Sequence, residues 1–384
     1  MFVERGKLEK ARRSVNFPVL AAAAVAVVAC GPPLRPTPPI DPRGDWPTLL
    51  GNPQRSGYAS ETVPAAPEEA WRANVGRGLL TPVLVEGPVL IASTANRMVV
   101  TLNTETGERY WGRRLAGAVT GGVVRGGQRI FAATDHRDGK AYALGLERGR
   151  TAWDRTIGPA PFPGLIVEDA VYFVNERGRV FALGTDRGEE RWRVDLPGAP
   201  ATTPVPHGES LLIATTRDTL YRIERGSGRI QARVKLPATV SAAPTVVEDT
   251  VYLPLQTGDV AAYQLPGLEE LWRASFGAPI LAAPVVGPDG ALYVLNRNTD
   301  LWRVRPGARA GEKLASLDGA ARASLAVTRD RLLVGRLDGK LFLLDMDGRV
   351  LWERDFEDSI VAPVTVADGA IFVPLLRGTI VKLR

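Results

Sequence analysis

Few residues in this 384-residue sequence belong to the types that perform chemistry. There is one cysteine, Cys30, and there are two histidines, His136 and His207. A single cysteine cannot form an intrachain disulfide, and a structural zinc site takes four cysteine or histidine ligands. Two acidic turns, Asp135–Asp138 and Asp345–Asp347, lack the full spacing of a calcium loop and are interpreted as solvated turns. The sequence has no HExxH, GxSxG or P-loop motif, so we predict no catalytic residue, no metal site and no cofactor.

The net charge of +6 is modest, and half of it lies in residues 1–29. A nucleic-acid-binding surface needs Lys and Arg side chains clustered on one face. We therefore expect no nucleic acid among the partners.

The first 29 residues have the pattern of a secretory signal peptide. Residues 1–13 are basic, and residues 17–29 form an apolar run that is too short to span a bilayer. The run ends in Val27-Val28-Ala29-Cys30, which resembles the lipobox of bacterial lipoproteins. That resemblance implies cleavage before Cys30 and attachment of lipid, including palmitate, to this residue. Because Gly31 follows, it also implies an anchor on the periplasmic face of the outer membrane.

A proline-rich segment separates Cys30 from the rest of the chain. Residues 30–45 contain six prolines, a density that favours extended polyproline II structure. We interpret this segment as a tether that holds the following domain away from the membrane.

A unit of about forty residues repeats eight times in the remainder of the chain. The starts of corresponding apolar strands differ by 41, 41, 40, 40, 41, 40 and 39 residues. A fixed period of this length is typical of a propeller or a solenoid. The strands begin at Val89, Ile130, Val171, Leu211, Val251, Leu292, Leu332 and Ile371.

Each complete unit contains four short segments with the alternation of β-strands, separated by turn residues. The fourth segment ends near a tryptophan in most units, and a glycine often lies four residues before that place. This regular phase favours packing between neighbouring units over ligand stacking. The tryptophans in phase are Trp71, Trp111, Trp153, Trp192, Trp272 and Trp352, with Ala232 and Leu314 in the two other places.

These observations predict an all-β domain over residues 46–384, an eight-bladed β-propeller of four-stranded antiparallel blades. The last unit, from Val361, has only three strands and no tryptophan. We therefore predict that Glu69–Val75 supplies its fourth strand, because such closure removes open sheet edges.

The repeat resembles the pyrroloquinoline-quinone-like propeller repeat of the quinoprotein dehydrogenase-like superfamily. Thr101–Trp111 and Ala182–Trp192 carry this resemblance, and Asp45–Gly57 is similar to the superfamily's lead-in segment. A dehydrogenase of that superfamily holds its quinone with calcium and acidic ligands, whereas the innermost strands here are nearly free of carboxylates. The sequence therefore argues against a dehydrogenase, which is kept only as an alternative. A propeller that binds a small molecule or a glycan is a second one.

With its lipobox and eight units, the chain resembles the BamB family, accessory proteins of the outer-membrane β-barrel assembly machinery. The resemblance implies a non-catalytic scaffold facing the periplasm, with protein partners in that machinery. In that family, charged loops before two mid-chain innermost strands hold the barrel component. The corresponding stretches here, Pro197–Pro204 and Pro237–Pro244, are short and uncharged, so no partner residues are transferred.

Arginine recurs in the turn between the second and third strand of the units, and the fifth unit has Gln256-Thr257 instead. All such turns of a propeller lie on one face, where guanidinium groups would suit carboxylates or phosphates. The same pattern also fits arginine as an ordinary polar turn residue, diluted by nearby carboxylates. The candidate partner-binding residues are Arg97, Arg137, Arg177, Arg217, Arg297, Arg336 and Arg377.

Overall fold

The computed structural model describes residues 57–323 and 325–384. The predicted signal peptide (1–29), Cys30, the predicted tether (30–45) and the first predicted propeller residues (46–56) lie outside the described residues. Within the described chain the regular elements are all β-strands. No helix there is long and apolar enough to cross a membrane.

The strands form eight four-stranded antiparallel sheets, so the predicted eight-bladed propeller is confirmed. Blades 1 to 4 comprise β2 (Leu84–Glu86), β3 (Val89–Ser93), β4 (Met98–Asn103) and β5 (Arg109–Arg114); β6 (Val123–Gly126), β7 (Arg129–Ala133), β8 (Lys140–Gly145) and β9 (Thr151–Thr156); β10 (Leu165–Val167), β11 (Ala170–Val174), β12 (Arg179–Gly184) and β13 (Glu190–Asp195); and β14 (Val205–His207), β15 (Ser210–Thr215), β16 (Thr219–Glu224) and β17 (Ile230–Lys235).

Blades 5 to 8 follow the same order from the innermost strand outward. They comprise β18 (Thr245–Val247), β19 (Thr250–Pro254), β20 (Asp259–Gln264) and β21 (Glu269–Ser275); β22 (Val285–Val286), β23 (Leu292–Leu295), β24 (Asp300–Val304) and β25 (Glu312–Ser316); β26 (Ala326–Val327), β27 (Leu332–Gly335), β28 (Lys340–Leu344) and β29 (Val350–Asp355); and β30 (Thr365–Ala367), β31 (Ala370–Pro374), β32 (Thr379–Leu383) and β1 (Glu69–Asn74).

The ring is closed by β1, as predicted. This strand pairs antiparallel with β32, with Trp71 opposite Lys382. The Lys382 side chain is only 2% exposed, and its Nζ donates to the Thr104 carbonyl and to Glu105 Oε1 of blade 1, both at 2.9 Å. The paired strands β1 and β32 therefore join blade 8 to blade 1.

Burial explains the two strand patterns of the repeat. The second strands β3 and β11 are buried at every position, because both faces of the sheet pack against neighbouring blades. The fourth strands β13 and β29 alternate between exposed and half-buried residues, because they lie at the rim. The hydrophobic core therefore lies between blades, as where Phe131 of blade 2 and Phe173 of blade 3 share one cluster.

The tryptophans of the fourth strands flank a β-bulge. In blade 3, for example, the pairing of β12 with β13 shifts between Ala182 and Leu183, and Ala182 lies opposite Trp192. A bulge of this kind re-aims a neighbouring side chain. Equivalent shifts flank Trp71, Trp111, Trp153, Trp272 and Trp352.

Four of these tryptophans connect their blade to the next one through a contact that we call the tryptophan latch. The indole Nε1 donates to the first carbonyl of the next blade's turn between the third and fourth strands. The indole ring also packs against the glycine of that turn, so closely that a Cβ added to the glycine would lie 2.5–2.9 Å from the ring. The latches are Trp71 to Thr104 (3.0 Å), Trp111 to Leu146 (2.7 Å), Trp153 to Thr185 (2.9 Å) and Trp192 to Arg225 (2.8 Å). The predicted packing role of these residues is thus confirmed.

The segment Gly57–Glu61 lies beside the innermost strand of blade 7. The Val327 amide donates to the Gly57 carbonyl at 3.0 Å, and the Ala59 amide donates to the Val327 carbonyl at 2.8 Å. Tyr58 and Val327 form a parallel bridge. Because the outward edge of β26 is paired with β27, this segment occupies the edge that faces the centre of the ring.

Candidate docking face

One face of the propeller combines the turns between second and third strands with the links that connect successive blades. We call it the turn face. In every blade, an amide of the turn donates to a carbonyl of the link leading into that blade, at 2.7–3.0 Å. The donors are Ala95, Asp135, Glu176, Thr216, Gln256, Arg297, Leu337 and Leu376. All eight turns are therefore held at the same end of the ring, as the sequence predicted.

A pocket of about 460 Å³ lies at the centre of the turn face. Its wall is mainly apolar, and Leu80 and Leu281 are 38% and 37% exposed although they are large hydrophobic residues. Exposed apolar clusters rimmed by polar residues are typical of interaction sites. Each inter-blade link contributes to the wall, with Leu80, Gly121, Phe162, Thr202, Ala242, Leu281, Ala323 and Val361.

Two charged side chains reach this pocket. The carboxylate of Asp135 accepts a hydrogen bond from Thr120 Oγ1 at 3.1 Å, and Arg322 is exposed. Calcium takes six to eight oxygen ligands. Among residues 57–323 and 325–384, no group of three or more His, Cys, Asp or Glu residues is placed to hold a metal ion. The pocket therefore combines a mainly apolar wall with one carboxylate and one guanidinium group.

The seven turn arginines divide into two sets. Arg137, Arg177, Arg217 and Arg297 are exposed, and none has a carboxylate within salt-bridge distance in the described chain. Arg97 and Arg336 instead bond to a neighbouring link: Arg97 Nε donates to the Leu115 carbonyl at 3.0 Å, and Arg336 bonds to the Leu317 carbonyl and to Asp338. Arg377 is 82% exposed, with its Nε 3.9 Å from Asp358 Oδ1. Five of the predicted seven are thus exposed to a partner, and three of those lie on consecutive blades 2, 3 and 4.

Several carboxylates near these turns are already engaged. A hydrogen bond from Thr239, together with Lys235, holds the pKa of Asp218 below its ordinary value. Glu176 is exposed without an ion pair in the described chain. Asp300 contacts Lys313 and Ser316, Asp338 contacts Arg336, and Asp259 accepts from Thr257. Asp218 and Asp300 are therefore paired with lysines, whereas Asp338 pairs with Arg336 and the charges of Glu176 and Asp259 still dilute the positive field, as the sequence suggested.

Two other residues considered in the sequence analysis, Asp345 and His207, form local contacts away from the turn face. Asp345 lies in a turn, where its Oδ1 accepts from the amides of Asp347 and Arg349. His207 ends β14 on the opposite side of the ring, and its Nε2 lies 2.9 Å from Asp249 Oδ1. Neither residue contributes to the turn face.

The apolar wall was not singled out from the sequence. The segments 197–204 and 237–244 were noted only as short and uncharged, yet Thr202 and Ala242 line the pocket. The available signal was the recurrence of small uncharged residues beside proline at one phase of the repeat. Only closure of the ring brings these links together.

Comparison with known proteins agrees with this architecture. The family model described as outer membrane protein assembly factor BamB matches residues 59–199, 176–288 and 288–383. BamB of Salmonella typhimurium is 25% identical over 353 residues, which cover 82% of this chain and 88% of that protein.

Two solved structures show the same fold. BamB from Moraxella catarrhalis has a TM-score of 0.69 at 18% identity, covering 83% of this chain and 97% of that one. Quinohemoprotein alcohol dehydrogenase from Comamonas testosteroni has a TM-score of 0.74 at 12% identity, covering 90% and 81%. At these identities the likeness concerns the fold alone. The family model, by contrast, extends from the segment before the first blade to the last strand, and the chain belongs to the family described as outer membrane protein assembly factor BamB.

Proposed function

We propose that this protein is a non-catalytic scaffold in outer-membrane β-barrel assembly, which binds a protein partner through the turn face. The proposal rests on one observation: an exposed apolar pocket and the exposed guanidinium groups of Arg137, Arg177 and Arg217 lie on the same face. An apolar centre with a charged rim is the usual anatomy of a protein interface. The family assignment supports the choice of assembly machinery.

The partner surface is expected to carry carboxylates around an apolar residue. Exposed arginines bind carboxylates through paired N–H donors, and such rim contacts set the rate of association and its salt dependence. The apolar residue would enter the central pocket beside Leu80 and Leu281.

Replacing Arg137, Arg177 and Arg217 together by serine tests this face. Crosslinked capture from membranes is expected to recover a component of the assembly machinery with the unaltered protein. The triple variant should bind it roughly five- to a hundredfold more weakly, from a loss of about 1–3 kcal/mol over three exposed pairs. The difference should diminish as salt rises.

The matched control replaces Arg148, Arg187 and Arg229 by serine. These exposed arginines belong to the same three blades but lie in turns between third and fourth strands, at the opposite end of the ring. The control should retain both stability and capture. Equal loss in both triple variants would show that net charge, rather than the turn face, governs binding.

We also propose that Cys30 carries the lipid that anchors this scaffold at the periplasmic face of the outer membrane. The support is the lipobox-like Val27–Cys30 at the end of an apolar leader. In Cys30→Ala, labelled palmitate should not be incorporated, and the protein should remain an unprocessed precursor or leave the membrane fraction. Equal labelling of both proteins would exclude lipidation at Cys30.

A further inference from the structure

The junction between blades 5 and 6 lacks the tryptophan latch although it has the tryptophan. The Trp272 ring lies 6.0 Å from Tyr252, close to the 5.8 Å that separates Trp192 and Tyr172 in a latched blade. Its indole Nε1 nevertheless has no hydrogen-bond partner within the described chain. The tryptophan therefore keeps its position in the blade without its contact to the next one.

The cause is the turn that faces Trp272. It extends from Arg305 to Gly311, between β24 and β25, whereas five residues form the corresponding turns that accept a latch. The Ala308 amide donates to the Arg305 carbonyl at 2.9 Å, which closes the longer turn on itself. The turn thus no longer presents a glycine and a carbonyl to the indole.

A groove of about 290 Å³ lies at this junction. Trp272 and Tyr252 line one side, Leu271 and Leu292 contribute apolar surface, and Arg305 and Arg309 belong to the turn on the other side. The groove includes Gly290, in the turn between β22 and β23, so it lies at the end of the ring opposite the turn face.

The polar side chains along this groove are mostly hydrogen-bond donors, and no carboxylate lines it. Arg305 pairs with Glu312 at 3.2 Å. Trp272 Nε1, Tyr252 Oη and the Arg309 guanidinium have no partner among the described residues. Burial, aided by the charge of Glu248, raises the pKa of Tyr252, so its hydroxyl remains a donor at neutral pH.

These properties define the complementary ligand. Donors without acceptors suit an anion rich in oxygen, and a guanidinium suits a carboxylate or a phosphate. An indole ring suits the C–H face of a flat, partly apolar ring. Because ligand pockets usually hold roughly 300–1,000 Å³, a groove of about 290 Å³ accommodates one small ring rather than a long peptide.

We propose that the groove between blades 5 and 6 binds a small anionic saccharide, a sugar acid or a sugar phosphate, with the ring against Trp272 and the anion at Arg309. This site goes beyond the proposed scaffold function, because it lies at the other end of the ring and uses none of the same residues. Binding here would add a small-molecule activity to the propeller.

Titration calorimetry of the purified protein with glucuronic acid, glucose 6-phosphate and neutral glucose tests the proposal. Both anions should bind, and glucose should bind about tenfold more weakly or worse, as expected when one charge-assisted contact is missing. Trp272→Leu and Arg309→Ser should each weaken anion binding by about tenfold. Arg309→Ser alters only an exposed side chain, so it remains informative if Trp272→Leu folds poorly.

Arg150→Ser is the matched control, since Arg150 is exposed at the corresponding turn of blade 2, where Trp111 is latched. It should bind both anions as the unaltered protein does. No anion binding, or equal binding by Arg309→Ser, would overturn the proposal. Tighter binding of an acidic dipeptide than of either sugar would also overturn it, in favour of a peptide site.

Discussion

The ring has two halves that are joined differently. From blade 8 through blade 4, four successive junctions carry the tryptophan latch, including the one that closes the ring. From blade 4 to blade 8, no latch is present in the described chain. Both halves nevertheless bury most of their second strands, although Thr250 and Tyr252 of β19 are only half-buried. The comparison indicates that buried inner strands are enough to form a blade, and that the latch fixes how neighbouring blades meet at the rim.

The second half uses a different contact at each junction. Between blades 6 and 7, Leu314 occupies the tryptophan position and packs beside Gly348. Between blades 4 and 5, Arg222 Nη1 donates to the Pro266 carbonyl at 3.4 Å. Between blades 7 and 8, Arg354 pairs with Glu69 of the closing strand at 2.5 Å. Within residues 57–323 and 325–384, only the junction between blades 5 and 6 combines an unpartnered indole with the groove described above.

Removing the closing strand β1 should destabilise the protein more than any other change, because it opens the ring that both halves share. Deletion of residues 66–77 takes away β1 and the first latch, and it exposes the edge of β32. We expect aggregation or loss of cooperative unfolding, because an open edge strand pairs with other chains. Arg72→Ser, in the same strand, alters only an exposed ion pair and should unfold nearly as the unaltered protein does. Unchanged melting of the deletion variant would refute ring closure by β1.

Replacing a latched and an unlatched tryptophan should give unequal losses. Trp153 is 6% exposed and donates a hydrogen bond, so Trp153→Ala should cost about 3–5 kcal/mol of unfolding free energy. Trp272→Ala should cost at least about 1 kcal/mol less, since no hydrogen bond is lost. Urea unfolding of both variants measures the difference. Equal losses would mean that the latch adds nothing to packing.

A pair of glycine substitutions sharpens the same comparison. Gly188 and Gly307 both have positive φ, +66° and +77°, in corresponding turns of blades 3 and 6. A Cβ at Gly188 would lie 2.5 Å from the Trp153 ring, whereas one at Gly307 meets nothing within 4 Å. Gly307→Ala should cost about 1–2 kcal/mol for the backbone alone, and Gly188→Ala about 1–3 kcal/mol more from the overlap. Thermal and urea unfolding should rank them in this order, and the reverse order would contradict the latch geometry.

The smallest expected effect is a pH dependence at the closing junction. A hydrogen bond from Lys382, with the charges of Lys382 and Arg384, lowers the pKa of Glu105. A carboxyl group whose pKa is lower in the folded state stabilises above its unfolded pKa, and this contribution is lost as pH falls through the folded pKa. Glu105→Gln should therefore be less stable at neutral pH by no more than about 1 kcal/mol, since Glu105 is exposed.

The difference between Glu105→Gln and the unaltered protein should be present above the ordinary glutamate pKa of about 4.3 and should disappear only as the pH falls through the lower pKa of folded Glu105. Glu108→Gln, in the same turn but without an ion pair in the described chain, is the control and should show no such pH-dependent difference. A stability gap for Glu105→Gln that persists at low pH would show that packing, not charge, is responsible.

Much of the fold could be predicted because it depends on local pattern. The apolar strands at Val89, Val171 and Ile371 each became the second strand of a blade. The last unit, from Val361, has three strands instead of four, and this predicted that β1 supplies the fourth. Both inferences need only the strand period and the repeat length, which are properties of consecutive residues.

The site was predicted less completely, because it depends on residues far apart in the chain. Arginine at one phase of the repeat located the turn face, but nothing in the repeat pattern separates exposed Arg177 from Arg336, which bonds to Leu317 and Asp338. The apolar pocket arises from links of every blade, and no single link carries a recognisable motif.

The sequence by itself determined the number of blades, the order of strands and the phase of the tryptophans, because each follows from the spacing of residues along one repeat. The tertiary structure decided which tryptophans form latches and which arginines stay exposed. These outcomes depend on the turn of the neighbouring blade. Two extra residues between β24 and β25 are enough to leave Trp272 without the carbonyl that Trp153 bonds. A contact between blades is a property of two repeats and of the closed ring that sets their distance.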